Sequence, residues 1–355
     1  MHVQTYYDEM FMRHALSLAT KGWGKTSINP LVGAIIAKNN RVIGRGFHRK
    51  HGEAHAEVCA LLEAGDRAEN ATLYVNLEPC CTTGLTPPCV QAIARARIQR
   101  VVVSMTDPNP DVNGKGIEYL KQHNIAITIG VLAEPAQELN KWYAKFIIAR
   151  NPYIILKIAA SSNQRISGFR GKYITSEPSR RFVHSLRSRV SAVLVGIHTV
   201  LTDNCHLTDR LVGRHSPARV VIDPHLRIPI NSHFMEPNSR RIVITSSTND
   251  ASKIEQLIAR GVEIIILEGD HYTIDAIIGK LRMLRISSIM VEGGARVFTD
   301  FYADRQYDEI YLFVAPEKVS DGVRLDDRIW QEATAQEHKP VTVGNDQLYH
   351  VYRNN

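Results

Sequence analysis

Apolar positions at Met10, Phe11, Ala15, Leu18 and Ala19, with the half-apolar His14 among them, recur at helical spacing and predict a helix over 6–22 closed by Gly22 and Gly24. The period then changes. Two apolar runs, LVGAIIA (31–37) and RVIGRGF (41–47), flank Lys38-Asn39-Asn40 and predict a hairpin. Further along, the pattern predicts a helix over 55–65 stopped by Gly65, a strand over 72–77 ending at Glu78-Pro79, a helix over 90–98 and a strand over 100–105. A turn-rich stretch from Asp107 to Gly116 leads to a helix at IEYLKQ, a strand over 125–130 and a helix over about 135–149. Alternating strand and helix signals of this kind predict a three-layer α/β domain.

The pattern restarts at Ala149-Arg150-Asn151-Pro152, where the proline disfavours helix in the residue before it. We place a domain boundary there, giving domains 1–148 and 149–355. The second half reads as strands at 153–161, 192–196, 219–223, 241–245, 262–267, 288–294 and 309–316, with helices near 177–188, 250–260, 273–284 and 296–303. This too is α/β, and neither half shows an internal repeat or a low-complexity tract.

Composition adds limits. The chain has 355 residues, 44% of them hydrophobic and 22% charged, which suits two soluble globular domains. No apolar run is long enough for a membrane span, and the first residues lack a signal-peptide apolar block, so a cytoplasmic protein without a membrane partner is expected. The net charge of +7 is spread along the chain and suits an anionic small molecule. No basic run interleaved with aromatics tracks a nucleic-acid backbone, so no nucleic-acid partner is expected. Cys80, Cys81 and Cys89 crowd together in a chain of five cysteines, which in a reducing compartment points to metal or catalysis rather than disulfides.

A hydrolytic deaminase needs a nucleophile available near neutral pH and a shuttle that carries a proton to the leaving amine. Zinc on three protein ligands with one open position lowers the pKa of its water to roughly 7. A nearby carboxylate moves the proton. The general signature of zinc deaminases is H-x-E followed by P-C-x-x-C. Here His55-Ala56-Glu57 opens a helix, Pro79-Cys80 follows a strand, and Cys89 precedes the next helix, where the helix dipole favours a thiolate. His55, Cys80 and Cys89 are the candidate metal ligands and Glu57 the candidate catalytic acid–base. Cys81 is a rival ligand, although Cys80 holds the position directly after proline; Cys59, one turn beyond His55, reads as core. Eight residues separate Cys80 from Cys89, more than in the general motif.

With Asn29-Pro30-Leu31-Val32-Gly33, Gly46-Phe47-His48, His55-Ala56-Glu57, Leu77-Glu78-Pro79-Cys80 and Thr86-Pro87-Pro88-Cys89, the first half resembles the bifunctional riboflavin-biosynthesis deaminase–reductases. The resemblance continues through Lys157, Arg165-Ile166, Leu186-Arg187, Thr199-Val200, Leu207-Thr208, Arg210, Val220-Val221-Ile222-Asp223 and Val291-Glu292-Gly293-Gly294. It implies a cytidine-deaminase-like zinc domain followed by a dihydrofolate-reductase-like domain. The first would deaminate 2,5-diamino-6-ribosylamino-4(3H)-pyrimidinone 5′-phosphate; the second would reduce the ribosyl group to a ribityl chain with NADPH. By the same resemblance Asn29 and His48 contact the pyrimidine, and Arg187, Leu207, Arg210 and Glu292 contact the reductase substrate. Ala159, Tyr173, Thr199, Asp203 and the stretch from Gly294, Ala295 and Arg296 to Asp300 line the NADPH site. The family association implies a homo-oligomer, dimer or tetramer, joined through the C-terminal domain.

The chain also departs from the family pattern. Between the cysteines, Cys81-Thr82-Thr83-Gly84-Leu85 replaces a stretch that usually carries a His and a cation, and Ile28 replaces a proline. In the second half Ser162-Asn163-Gln164 replaces Leu-Asp-Gly, Tyr173 a Trp, Asn204-Cys205 an Asp-Pro, and Glu317-Lys318-Val319-Ser320 a Lys-Leu-Leu/Ile-Gly. If position 164 keeps a positive φ, its glutamine is strained by roughly 1 kcal/mol. These changes gather in the reductase half. They give a second reading, a divergent paralogue with an active zinc deaminase for a related aminopyrimidine and a non-reducing C-terminal domain.

Overall fold

Two separate β-sheets organise the chain, which falls into the units Met1–Arg150 and Asn151–Asn355. The computed structural model describes residues 3–169, 171, 173–213, 215–246, 250–268 and 272–353. Among them no helix is long and apolar enough to cross a membrane.

The first unit runs α1 (Val3–Ala19), β1 (Gly33–Lys38), β2 (Arg41–Phe47), α2 (Ala56–Ala64), β3 (Thr72–Val75), α3 (Cys89–Arg95), β4 (Arg100–Val103), α4 (Lys115–Gln122), β5 (Ala126–Ile129) and α5 (Ala133–Ala149). Its sheet has the order β2-β1-β3-β4-β5, with β1 antiparallel to both neighbours and β3, β4 and β5 parallel. Asn39 and Asn40 close the predicted hairpin with φ of 50° and 57°, the left-handed pair that matches strand twist in a two-residue turn. Strand side chains alternate between two cores. Ala34, Ile36, Leu73, Val75, Val101 and Val103 pack with Ala56, Ala60 and Ala64 of α2 and Val90 and Ile93 of α3. Ile35, Tyr74 and Val102 meet Phe11, Met12 and Ala15 of α1 on the opposite face. This is the expected three-layer arrangement.

One close approach in this unit positions the site. A Cβ on Gly46 would lie 2.0 Å from the Ala56 carbonyl oxygen, and one on Gly44 would lie 2.3 Å from that of Ala60. Without side chains at these positions, the backbone of α2 lies against β2. The start of α2 is thereby fixed beside the residue that follows β2, His48.

The second unit runs β6 (Tyr153–Ser161), α6 (Glu177–Arg187), β7 (Ala192–Gly196), α7 (Ile197–Asp203), β8 (Ala218–Ile222), β9 (Arg241–Ser246), α8 (Ala251–Ala259), β10 (Glu263–Leu267), α9 (Ile274–Met283), β11 (Ser288–Gly293), α10 (Ala295–Ala303), β12 (Glu309–Ala315), α11 (Asp327–Ala333), β13 (Val341–Val343) and β14 (Asp346–Tyr352). The sheet order is β10-β9-β8-β7-β11-β6-β12-β14-β13, parallel from β10 to β12 and antiparallel over the last two pairings. Its inner strands read as near-continuous apolar runs because helices cover both faces.

Helices α7 and α11 and the hairpin β13–β14 are absent from the sequence reading. Each helix is seven residues long, too short to show a period. The hairpin carries polar residues inward; Asp346, 1% exposed, accepts hydrogen bonds from the Ser176 backbone N–H (2.8 Å) and hydroxyl (2.7 Å), a partnership that an apolar-pattern reading does not see.

Candidate active sites

His55 is the N-cap of α2 in an extended conformation, which turns its ring away from the helix toward the segment after β3. Cys89 is the first residue of α3, and its backbone N–H points at Cys80 Sγ, 3.4 Å away. The result is convergence: His55 Nδ1 lies 3.2 Å from Cys89 Sγ and 3.4 Å from Cys80 Sγ. The other ring nitrogen, Nε2, lies 3.4 Å from the Thr86 hydroxyl. A hydrogen bond from Nε2–H to Thr86 leaves Nδ1 as the free lone pair, which fixes the tautomer a metal requires. Cys81 and Cys59 stand outside this cluster; Cys81 packs against the core under α2 and α3, and Cys59 Sγ approaches the Ala54 carbonyl at 3.9 Å.

Electrostatics agree with the geometry. The Cys89 thiol and backbone N–H and the His55 ring all stabilise negative charge on Cys80, and its thiol is held well below the ordinary range. Cys89 is driven the other way, first by its bond to Cys80 and then by burial. One imidazole nitrogen and two sulfurs, mutually within 4.8 Å, form a donor set that fits Zn2+.

Glu57, in the first turn of α2, is 3% exposed. Burial first, and then the charge at Cys80, push its carboxyl up to about 7. Its Oε2 has no hydrogen-bond partner among the described residues, an unsatisfied buried oxygen that calls for a ligand. Asn29 and His48 are joined to each other, Nδ2 to Nε2 at 3.0 Å, and the His48 ring meets His55 edge-on with centroids 5.3 Å apart. Asn29 itself is held through its neighbours. Leu31 exchanges hydrogen bonds with the side chain of Asn140 on α5 (2.8 and 3.1 Å), and its carbonyl also accepts from Asn76 (2.9 Å). Asn29, His48, His55, Cys80 and Cys89 therefore lie in one chain of contacts, with Glu57 two residues beyond His55.

A second carboxylate, Glu78, plays a scaffolding part. Its oxygens accept from the backbone N–H groups of Asp107 (3.1 Å), Gly114 (2.9 Å), Gly116 (2.9 Å) and Ile117 (3.2 Å). This ties the turn-rich stretch and the start of α4 to the strand end that carries Cys80.

In the second unit the sheet brings Arg187 at the end of α6 against Glu292 at the end of β11. Two parallel bonds of 2.6 and 2.7 Å join them, and Lys157 Nζ lies 3.8 Å from the same carboxylate. Burial alone would raise the Glu292 carboxyl, but Arg187 and Lys157 bring it down to about 2. Arg187 also donates to the Thr208 carbonyl (3.2 Å). His184, one turn earlier on α6, accepts the Arg210 N–H at Nδ1 (3.0 Å); burial and the cations Arg187 and Arg210 hold it neutral, its pKa lowered to about 4. Leu207 between these points is 2% exposed with φ of 57°.

Of the residues expected at the NADPH site, Thr199 on α7 and the Gly293–Gly294 turn before α10 come together. A Cβ on Gly293 would lie 2.7 Å from Thr199 Oγ1, and Gly294 has φ of 88°. Gly293 thus lets the Thr199 side chain pack directly on the turn, and the turn leads into the N-terminus of a nine-residue helix, an end that suits a phosphate-bearing cofactor. Ala295 and Arg296 form the first turn of α10, where Arg296 is largely exposed and pairs with Asp300 at 3.7 Å. Ala159 lies on β6 opposite Phe313, Asp203 ends α7, and the Tyr173 ring lies under the Arg180 guanidinium at 4.4 Å. Lys157, His184 and Thr86 were not among the sequence candidates. Lys157 and His184 carried a signal, as charged or titratable residues at positions that otherwise read as buried; Thr86 had none beyond its place in the cysteine loop.

Two family models cover most of the chain. Residues 5–105 match the cytidine and deoxycytidylate deaminase zinc-binding region, and residues 152–343 match the RibD C-terminal domain. The riboflavin biosynthesis protein RibD of Aquifex aeolicus is 43% identical over 324 residues, covering 90% of each chain. That of Escherichia coli K12 is 35% identical, covering 89% of this chain and 90% of its own. Among solved structures, a Thermotoga maritima diaminohydroxyphosphoribosylaminopyrimidine deaminase/5-amino-6-(5-phosphoribosylamino)uracil reductase superposes with a TM-score of 0.87 at 32% identity, over 99% of this chain and 100% of that one. With a deaminase zinc site in one unit and a reductase scaffold in the other, the chain belongs to the RibD family of bifunctional riboflavin-biosynthesis deaminase–reductases.

Proposed function

We propose that the chain carries out consecutive steps on one pyrimidine: hydrolytic deamination of 2,5-diamino-6-ribosylamino-4(3H)-pyrimidinone 5′-phosphate, then NADPH-dependent reduction of its ribosyl group to a ribityl chain. The observation that carries the first step is the convergence of His55, Cys80 and Cys89 beside the unsatisfied Glu57 Oε2. Zinc held by those three ligands supplies a Lewis acid that activates water. Asn29 and His48 orient the pyrimidine edge. Glu57 Oε2 would take a proton from the attacking water and pass it to the departing ammonia as the carbon–nitrogen bond breaks, a role that suits a carboxyl whose proton affinity burial raises.

In the second unit the Gly293–Gly294 turn, with Thr199, Ala159, Tyr173, Asp203 and Arg296, would hold NADPH, which would supply the hydride. Arg187 and Arg210 grip the phosphorylated substrate beside Leu207, and Glu292 holds Arg187 in register through its paired bonds. The enzyme works in the cytoplasm, with copies associating through the second unit. Reading the second unit as an active reductase rests on the Arg187–Glu292–Lys157 cluster and the Gly293–Gly294 turn; of the altered positions, 162–164 and 317–320 lie on other segments, while Cys205 Sγ approaches the Thr199 carbonyl at 3.9 Å. The substitution Glu57→Gln tests the first step. Deaminase turnover is expected to fall at least ~100-fold while zinc content per chain stays unchanged, and retained turnover would remove Glu57 from the proposed role.

A further inference from the structure

Outside both sites, one cluster of metal-ligating side chains stands on the surface of the second unit. His206 follows α7, and His233 and Glu236 flank a short helical turn before β9. One carboxylate faces both rings: His206 Nδ1 lies 3.2 Å from Glu236 Oε2, and His233 Nδ1 lies 2.8 Å from Glu236 Oε1. The two imidazoles stack with centroids 3.9 Å apart and planes 19° from parallel, and each turns Nδ1 toward Glu236, so that joint ligation of one cation requires one ring to rotate out of the stack. One ligand atom from each of the three side chains lies within 4.8 Å of the others.

The backbone beneath is preorganised. Arg219, wholly buried on β8, donates to the carbonyls of His233 (3.1 Å) and Glu236, and the buried Arg241 on β9 donates to that of Met235. From the other side the Asn204 amide oxygen accepts the His233 N–H at 2.8 Å, which fixes the strand of chain bearing His206 against the turn. The ligand-bearing side chains stay accessible, with 26% of His206, 46% of His233 and 38% of Glu236 exposed.

We propose that His206, His233 and Glu236 form a second metal site, for a borderline divalent transition cation of the Zn2+ type, that clasps segment 204–210 to the turn at 232–236. Two imidazoles and one carboxylate suit Zn2+, Ni2+ or Cu2+, whereas Mg2+ and Ca2+ favour an oxygen-rich shell. On binding, the cation takes the nitrogen lone pairs, any proton on those atoms is released, and Glu236 becomes its carboxylate ligand. The clasp bears on function through sequence. His206 directly precedes Leu207 and Thr208, and the Thr208 carbonyl receives Arg187.

The test uses the full chain with its deaminase site already filled by one equivalent of zinc. Calorimetric titration with further Zn2+ is expected to show a second equivalent, lost in His206→Ala and in His233→Ala and weakened in the isosteric Glu236→Gln, with deaminase turnover unchanged in all three. With Cu2+ as the probe, electron paramagnetic resonance is expected to show two coordinated nitrogens in the parent chain and to lose that signal in each histidine variant. A thermal melt of the second unit without metal, the same in parent and Glu236→Gln, separates lost ligation from lost folding. No second equivalent in the parent chain, or one that survives loss of both histidines, would overturn the proposal.

Discussion

Single residues carry the chemistry through where they sit on their elements. His55 is placed at a helix N-cap and Cys89 at a first helical position, so both face the gap between strand ends and helix starts where Cys80 emerges. These positions were legible in the sequence because the chemistry dictates residue types at short, fixed spacings. Thr86 was not, since the need for a hydrogen bond at His55 Nε2 arises only after folding brings the loop back. The altered residues can now be judged individually. Gln164 does adopt φ of 68°, as the glycine it replaces implies, and its side chain gains only an exposed bond from Arg324 (2.9 Å). Gln164→Gly is therefore expected to stabilise the second unit by about 0.5–1 kcal/mol, measured by chemical denaturation; a loss of stability would mean that the Arg324 contact outweighs the backbone strain. Asn163 is better fitted than the aspartate it replaces. Its amide donates to the Val319 carbonyl (2.9 Å) while its oxygen accepts the Val319 N–H (3.0 Å), and a carboxylate could only accept. Asn163 thus ties its turn to the backbone at Val319.

At the scale of elements, the first unit follows its sequence pattern closely, because strands with alternating burial and helices with small apolar faces declare themselves by period. What the pattern leaves out are elements held by polar contacts. Glu78 is the clearest case: read as the end of a strand, it proves to gather four backbone N–H groups from a loop and helix start 29 to 39 residues away. Glu78→Gln replaces one acceptor oxygen by a donor that faces other donors. It is expected to destabilise the unit by roughly 2–4 kcal/mol, with hydrogen exchange accelerated at Gly114, Gly116 and Ile117 and zinc bound more weakly. Unchanged exchange at those amides would show that the loop is held by packing alone. The hairpin β13–β14 illustrates the same limit, since Asp346 in its buried register reads as polar and outward until Ser176 is seen opposite.

Over the whole molecule, two α/β units each place their candidate residues at strand ends and helix ends, the one around a His–Cys–Cys donor set, the other around a buried charge cluster. The division into two halves near residue 150 was visible from the restart of the strand–helix pattern; the charge cluster was not, because Lys157, Arg187 and Glu292 lie on three different elements and meet only through the sheet order. That cluster sets an acid limit for the second unit. Glu292 titrates near 2 when folded, against an ordinary value of 4.5, so the unfolded chain binds more protons over that interval. The stability it contributes is complete above 4.5 and is lost as pH falls toward 2; Glu292→Gln is expected to be less stable near neutrality and to flatten that acid limb, as followed by pH-dependent denaturation. An acid limb of equal slope in the variant would assign the loss to other carboxylates. The most direct test of the bifunctional account is to incubate the zinc-quantified chain with the diaminopyrimidinone ribosyl phosphate, with and without NADPH, and follow products by mass spectrometry. The account predicts a product that has exchanged one amino group for oxygen in both reactions and has gained two further hydrogens only where NADPH is present. A deaminated product that NADPH never changes would contradict the reductase assignment, and no product from fully zinc-loaded protein would contradict the deaminase assignment as well.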